Sequence, residues 1–190
     1  MSAHVDTPPD TPYDATPAPG HELGRTPARV TPVVWGLVSL IVGLDQITKA
    51  LVRAYVPLHD SIPVVPGVLN LTHVENTGAA FGLLNSADFP FKPVVIAVFA
   101  VIALSGIAIY ASRLAPQERI ARMGLALILG GAVGNLIDRV TGGAVVDFVD
   151  VVIGGWHFWA FNVADTAITL GVAAMFLDMF GLDKHVSTTS

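Results

Sequence analysis

Four stretches of this chain are almost wholly apolar, and shorter segments of mixed character separate them. The first runs from Val33 to about Tyr55, the second from Pro93 to Ser112 without a formal charge, and the third from Ile120 to Asp138. The fourth runs from about Asn162 to Phe180 and carries Asp165 near its start and Asp178 near its end. At about 1.5 Å per residue, each run comes close to or exceeds the roughly 30 Å of a hydrocarbon core. The pattern predicts four transmembrane helices at about 33–55, 93–112, 120–138 and 162–180. In the third, the glycines of LALILGGAVGNLI permit close helix contacts. Between the first two runs, LNLTHVE alternates as a half-buried strand does, which predicts a small β element there. Between the last two, GGAVVDFVDVVIGGWHFWAF is too short for another spanning pair and reads as an outer loop with Trp156 and Trp159 at the membrane interface. No internal repeat is visible.

Composition agrees with a membrane setting. Of the 190 residues 53% are hydrophobic and only 13% charged, with a mean hydropathy of +0.64, against about 25% charged in soluble domains. The net charge of -5 supplies no basic field, so nucleic-acid binding is excluded. The absence of cysteine removes disulfides, thiolate nucleophiles, thiolate-bound zinc and iron–sulfur clusters. Residues 1–32 hold seven of the 13 prolines and five threonines and read as a disordered tail. No small-residue cleavage site closes the first apolar run, so it is expected to stay as an anchor. The domain proper is then 33–182, followed by a tail at 183–190. Arg25, Arg29, Arg113, Arg119, Arg122 and Lys184 fall on one side of this arrangement, and Arg53, Lys92 and Arg139 at helix edges on the other. The richer side is the cytoplasmic one. The expected fold class is a mainly α membrane protein of four transmembrane helices, both termini cytoplasmic, with a small extracytoplasmic β element between helices 1 and 2.

An ionisable residue within a spanning helix costs a few kcal/mol and calls for a partner or a purpose. Asp45 lies about 18 Å along the first helix, Asp138 about 27 Å along the third, and Asp165 about one turn inside the fourth. With Asp147, Asp150, Asn135, Arg139 and Asn162 they form a carboxylate and amide cluster near the extracytoplasmic boundary. Asp45 and Lys49, four residues apart, share a helical face and read as a structural pair. Asp138, one turn after Asn135 and next to Arg139, reads as a hydrogen-bonded post. Asn162 and Asp165 suit helix capping as well as chemistry. Asp147 lies in the middle of AVVDFVDVV, which otherwise reads as a buried strand and offers no capping role there. In an alternating strand Asp147 and Asp150 face opposite ways, one toward the site and one toward water. Asn76 to Gly82, NTGAAFG, fits a tight turn whose backbone approaches something closely, or a loop re-entering the membrane surface around Phe81. His59, His73 and His157 have no zinc-ligand spacing, and neither a GxSxG nor a phosphate loop occurs. Carboxylate chemistry remains, with no metal or cofactor expected. The spacing alone does not choose Asp147 and Asp165 over Asp138 or Asp150.

Five ordered blocks give the chain a resemblance to bacterial lipoprotein signal peptidase, or signal peptidase II. They are Asp45-Gln46-Ile47-Thr48-Lys49, NTGAAFG from Asn76, GGAVGNLIDR from Gly130 to Arg139, VVDF around Asp147, and FNVADTAI from Phe161 to Ile168. The resemblance covers most of 33–180, while the Pro/Thr-rich tail departs from the compact family pattern. It implies a four-helix intramembrane aspartic peptidase of the bacterial cytoplasmic membrane that cuts a diacylglyceryl-modified prolipoprotein before its acylated cysteine. It further implies that Asp147 and Asp165 are the catalytic pair, with Asn76, Gly78, Asn135, Arg139 and Asn162 orienting the pair or the substrate. Asp45, Lys49 and Asp138 are then structural. The expected partners are the prolipoprotein and membrane lipid, the expected state is a monomer, and an outer segment around 57–75 is expected to close over the peptide. The competing readings are an ion-coupled transporter, which needs a continuous polar path, and a noncatalytic receptor, which would not require both acids. A presenilin-type protease is disfavoured by the absence of Gly-x-Gly-Asp.

Overall fold

The computed structural model describes residues 32–78, 91–114 and 118–180. The tail up to residue 31, residues 79–82 of the NTGAAFG run and the C-terminal tail from 181 onward lie outside the described residues. The elements in order are α1 (Pro32–Tyr55), β1 (Ser61–Val65), β2 (Leu69–Asn76), α2 (Lys92–Arg113), α3 (Arg119–Gly142), β3 (Val145–Ile153), β4 (Trp156–His157) and α4 (Val163–Met179). Among the described residues α1, α2 and α3 are long and apolar enough to cross a membrane, whereas α4 has 17 residues.

The helices turn large apolar side chains outward. Trp35, Leu40, Ile47 and Leu51 of α1, Val98, Phe99 and Ile102 of α2, and Leu170, Phe176 and Leu177 of α4 are all exposed. The most buried large side chains include Lys49, Asn162, Asp45 and Asp138. Apolar outside and polar inside is the distribution that a hydrocarbon solvent favours. α3 is central, packing against α1, α2 and α4. A Cβ on Gly124 would lie 2.8 Å from the Gly171 carbonyl oxygen, and one on Gly171 would lie 2.5 Å from that of Gly124. Only glycine at both positions lets the α3 and α4 backbones meet.

α3 runs four residues beyond the expected Asp138 end. It stops where Gly143 adopts φ 77° and donates its N–H to the Arg139 carbonyl, a left-handed cap that glycine enters without strain. The larger difference is in the sheet. The segment between α3 and α4, expected as an outer loop with AVVDFVDVV as a buried strand in it, supplies β3 and β4, and the four strands pair antiparallel in the order β1-β2-β3-β4. Its run of β-branched residues pairs with β2 from Leu69↔Val151 to Asn76↔Val145. β2 cannot be stable with β1 alone, and β3 supplies the third strand that such an element needs. The 57–75 segment expected to close over a peptide is largely β1 and β2 of this sheet.

Candidate active site

The polar core assembles where α1 and α3 finish, α4 begins and β3 crosses. Lys49 on α1 is fully buried and its Nζ lies 2.8 Å from Asp45 Oδ2 and 2.9 Å from Asp138 Oδ2. Asp138 also receives Arg53 at 3.0 Å. Asp45 spends its other oxygen on the Ala164 N–H at the start of α4, at 3.0 Å. One cation and two carboxylates thereby tie α1 to α3 and α4, and the Val146 N–H adds β3 through Asp138 at 3.4 Å. Gln46 joins the group by donating to Asp45 at 3.1 Å and to the Gly134 carbonyl at 3.1 Å. The sequence reading gave Gln46 and Arg53 no role there. Had the rule for acids in a spanning run been extended to neutral amides and to helix-edge cations, both would have stood out.

A second tier lies beside the first. Asn162 caps α4: its side-chain oxygen accepts the Asp165 N–H at 2.9 Å, and the Asp165 carboxylate takes the Asn162 N–H at 3.3 Å. This reciprocal box satisfies two otherwise orphaned amides. Asp165 keeps its other oxygen for the Asn135 amide, at 2.8 Å. The Asn162 amide in turn donates to Asp147 Oδ1 at 2.7 Å, and Asn76 donates to Asp147 Oδ2 at 3.2 Å. The register explains that last contact. Val74 opposes Asp147 and Asn76 opposes Val145, so Asn76 and Asp147 are diagonal neighbours on one face of the sheet. Asn135 and Asn162 also touch, at 3.2 Å. Asp147 and Asp165 therefore hang from one bonded pair of amides.

Burial drives the Asp147 carboxyl up to about 7, and the neighbouring Asp165 charge adds to it, while the Asn76 and Asn162 donors and the Lys49 charge pull the other way. A carboxyl with that value can hold or release a proton near neutrality. Arg139 spans the rim, donating to its own helix at Asn135 O and to Gly78 O, each at 3.1 Å. The Gly78 N–H bonds Asn76 Oδ1 at 3.0 Å, so the start of the NTGAAFG turn is tied to the site.

Asp150 does not join the cluster. Three residues from Asp147, it occupies the other face of β3, where Asn70 donates to it at 2.9 Å and His157 Nδ1 lies 2.9 Å away. Nor does it point freely into water, as expected, since it is only 8% exposed. Asn70 is its direct cross-strand partner. Trp156 and Trp159 are half or more exposed. No group of three or more histidine, aspartate or glutamate residues suited to a metal ion occurs among the described residues.

The sequence profile of the signal peptidase II family matches residues 37–181. A lipoprotein signal peptidase from Geobacillus thermodenitrificans is 46% identical over 144 residues, 76% of this chain and 87% of its own. One from Geobacter metallireducens is 49% identical over 150 residues, 79% of this chain and 90% of its own. A bacterial membrane enzyme solved by the in meso method at 2.3 Å superposes with a TM-score of 0.71 at 30% identity, covering 83% of this chain and 93% of its own.

Proposed function

The chain belongs to the signal peptidase II family, and from that premise we propose that it removes the signal peptide of diacylglyceryl-modified prolipoproteins, cutting before the modified cysteine, with Asp147 and Asp165 as the catalytic pair. One observation carries the assignment. Among the described residues these two carboxylates alone share the Asn135–Asn162 amide pair, whereas Asp45 and Asp138 are neutralised by Lys49 and Arg53, and Asp150 faces away.

Two neighbouring carboxyls that hold one proton between them combine a base with an acid. The ionised member takes a proton from a water that attacks the scissile carbonyl. The protonated member donates to the developing oxyanion, and the roles reverse as the amine leaves. Asn76, Asn135 and Asn162 hold the two carboxyls, and Arg139 with Gly78 frames the side on which the peptide backbone lies.

In this reading α4 is a fourth span, about 26 Å long at about 1.5 Å per residue. The sheet then sits on the extracytoplasmic side, as the Lys/Arg distribution and the exposed Trp156 and Trp159 favour. That depth suits a substrate whose signal helix and acyl chains lie in the bilayer while its cleavage point reaches the outer boundary. The test is cleavage of a diacylglyceryl-modified prolipoprotein by the purified protein in detergent, compared with Asp147→Asn and Asp165→Asn. Wild type should cut before the modified cysteine, and both folded variants should be inactive. An active Asp147→Asn enzyme overturns the pair, and a folded wild type that never cuts overturns the function.

A further inference from the structure

We infer that Lys49 is a positioning residue for catalysis, acting through Asn135 to fix the donor that Asp165 receives. The inference rests on the proposed peptidase function for its role in turnover, though not for its effect on the carboxyls. An amide side chain has two orientations of nearly equal shape, and only its partners decide which end is the donor. The Lys49 ammonium cannot accept a hydrogen bond, and it lies 2.8 Å from Asn135 Oδ1. That contact, the shorter of two on this oxygen, which also accepts from the Asn162 NH2 at 3.2 Å, turns the Asn135 NH2 toward Asp165 Oδ1, at 2.8 Å. The Asn162 amide is fixed in the same way by a donor that cannot reverse, the Asp165 backbone N–H, and so presents its NH2 to Asp147. The fully buried Lys49 thus does more than neutralise Asp45: it touches Asp45, Asp138 and Asn135 with its three N–H bonds, and the third leads to the reacting carboxyls.

Lys49 also acts by charge. The groups around it are Asp45 on α1, Asp138 on α3 with Arg53 beyond, and Asp147 and Asp165 from β3 and α4, whose charges Arg139 also feels. Its positive charge favours ionised Asp147, so its removal should make Asp147 harder to ionise.

The experiment compares Asp45→Asn, Lys49→Met and the double variant Asp45→Asn/Lys49→Met. The double variant removes one charge of each sign, which keeps the test available if Lys49→Met alone does not fold. Two readouts are taken on folded protein in detergent: the pH profile of prolipoprotein cleavage, and the titration of 13C-labelled aspartate carboxyls by infrared difference spectroscopy. In the double variant kcat should fall on the order of 10²-fold with KM little changed, while Asp45→Asn retains turnover. The carboxyl titration should move to higher pH, and adding Asn135→Ala to the double variant should cost little more, because both changes cut the same link. Activity that tracks only the folded fraction, with unmoved titration and additive effects of Asn135→Ala, overturns the inference. If wild type fails to cleave, the peptidase reading falls, and the infrared titration still decides whether Lys49 governs the pair.

Discussion

Replacing Asp147 by Asn should make the protein more stable above neutral pH while removing its activity. Asp147 is 4% exposed, and its carboxyl is raised from 3.8 to about 7 chiefly by burial, then by Asp165. A carboxyl that holds its proton more tightly when folded stabilises the fold in full below about 3.8, and that contribution is lost as the pH rises through about 7. At about 1.4 kcal/mol per tenfold change in proton affinity, the loss amounts to about 4 kcal/mol. Asparagine never carries the charge, so it escapes the loss. It does place an NH2 where one of the Asn76 and Asn162 amides donates, and one missing hydrogen bond costs about 1 kcal/mol. The expected balance is a gain of about 3 kcal/mol at pH 8 and a deficit of about 1 kcal/mol at pH 4. Thermal unfolding in detergent, followed by intrinsic fluorescence across that range, reads it directly. The midpoint difference between variant and wild type should change sign between the two ends. A difference independent of pH, or a variant less stable at both ends, would refute the argument that a buried, like-charge environment sets the Asp147 proton.

Asp45→Asn should cost about 2 kcal/mol, the worth of a hydrogen bond to a charged group, because Lys49 keeps Asp138 at 2.9 Å; a lowered midpoint with near-normal turnover per folded molecule is the expected result. Gly134→Ala should destabilise by about 1–3 kcal/mol through overpacking, since its Cβ would meet Asp45 Oδ2 at 2.5 Å. Gly106→Ala, with nothing within 4 Å of the added atom, is the control and should be neutral or stabilising in the same melt. Cleavage should survive excess chelator at an unchanged rate, because the oxygens of Asp147 and Asp165 accept N–H donors and the chemistry asks only for a proton to be exchanged; a rate lost with chelator and restored by a divalent cation counts against the pair.

The apolar runs were legible because a membrane helix must satisfy its backbone within itself, so length and composition nearly define it. The sheet was less so. Strand character was visible in LNLTHVE and in AVVDFVDVV, but β3 has both faces covered for much of its length, so no alternation told which strand it would join. Its pairing depends on residues far away in the chain, from Asn76↔Val145 to Leu69↔Val151, which periodicity does not report. For the polar cluster, counting along helices brought Asp45, Asp138 and Asp165 to one level. It did not distinguish a neutralised acid from an uncompensated one, because that turns on Lys49 reaching Asp138 on another helix and on the face that Asp150 occupies.

The two tiers of the core explain each other. A catalytic pair needs carboxyls that are buried and undercompensated, and such groups oppose folding by several kcal/mol. Asp147 and Asp165 have amides for partners and no cation within hydrogen-bonding distance among the described contacts. Directly beside them the reverse holds: Asp45 and Asp138 share Lys49 and Arg53, and their remaining bonds fasten the first turn of α4 and the start of β3. Asp165 stands on that α4 turn and Asp147 follows Val146 on that strand. The compensated tier thus holds in place the two segments that carry the uncompensated one. The same arrangement accounts for Gly134, where a side chain would separate α3 from Asp45 and so loosen both tiers at once.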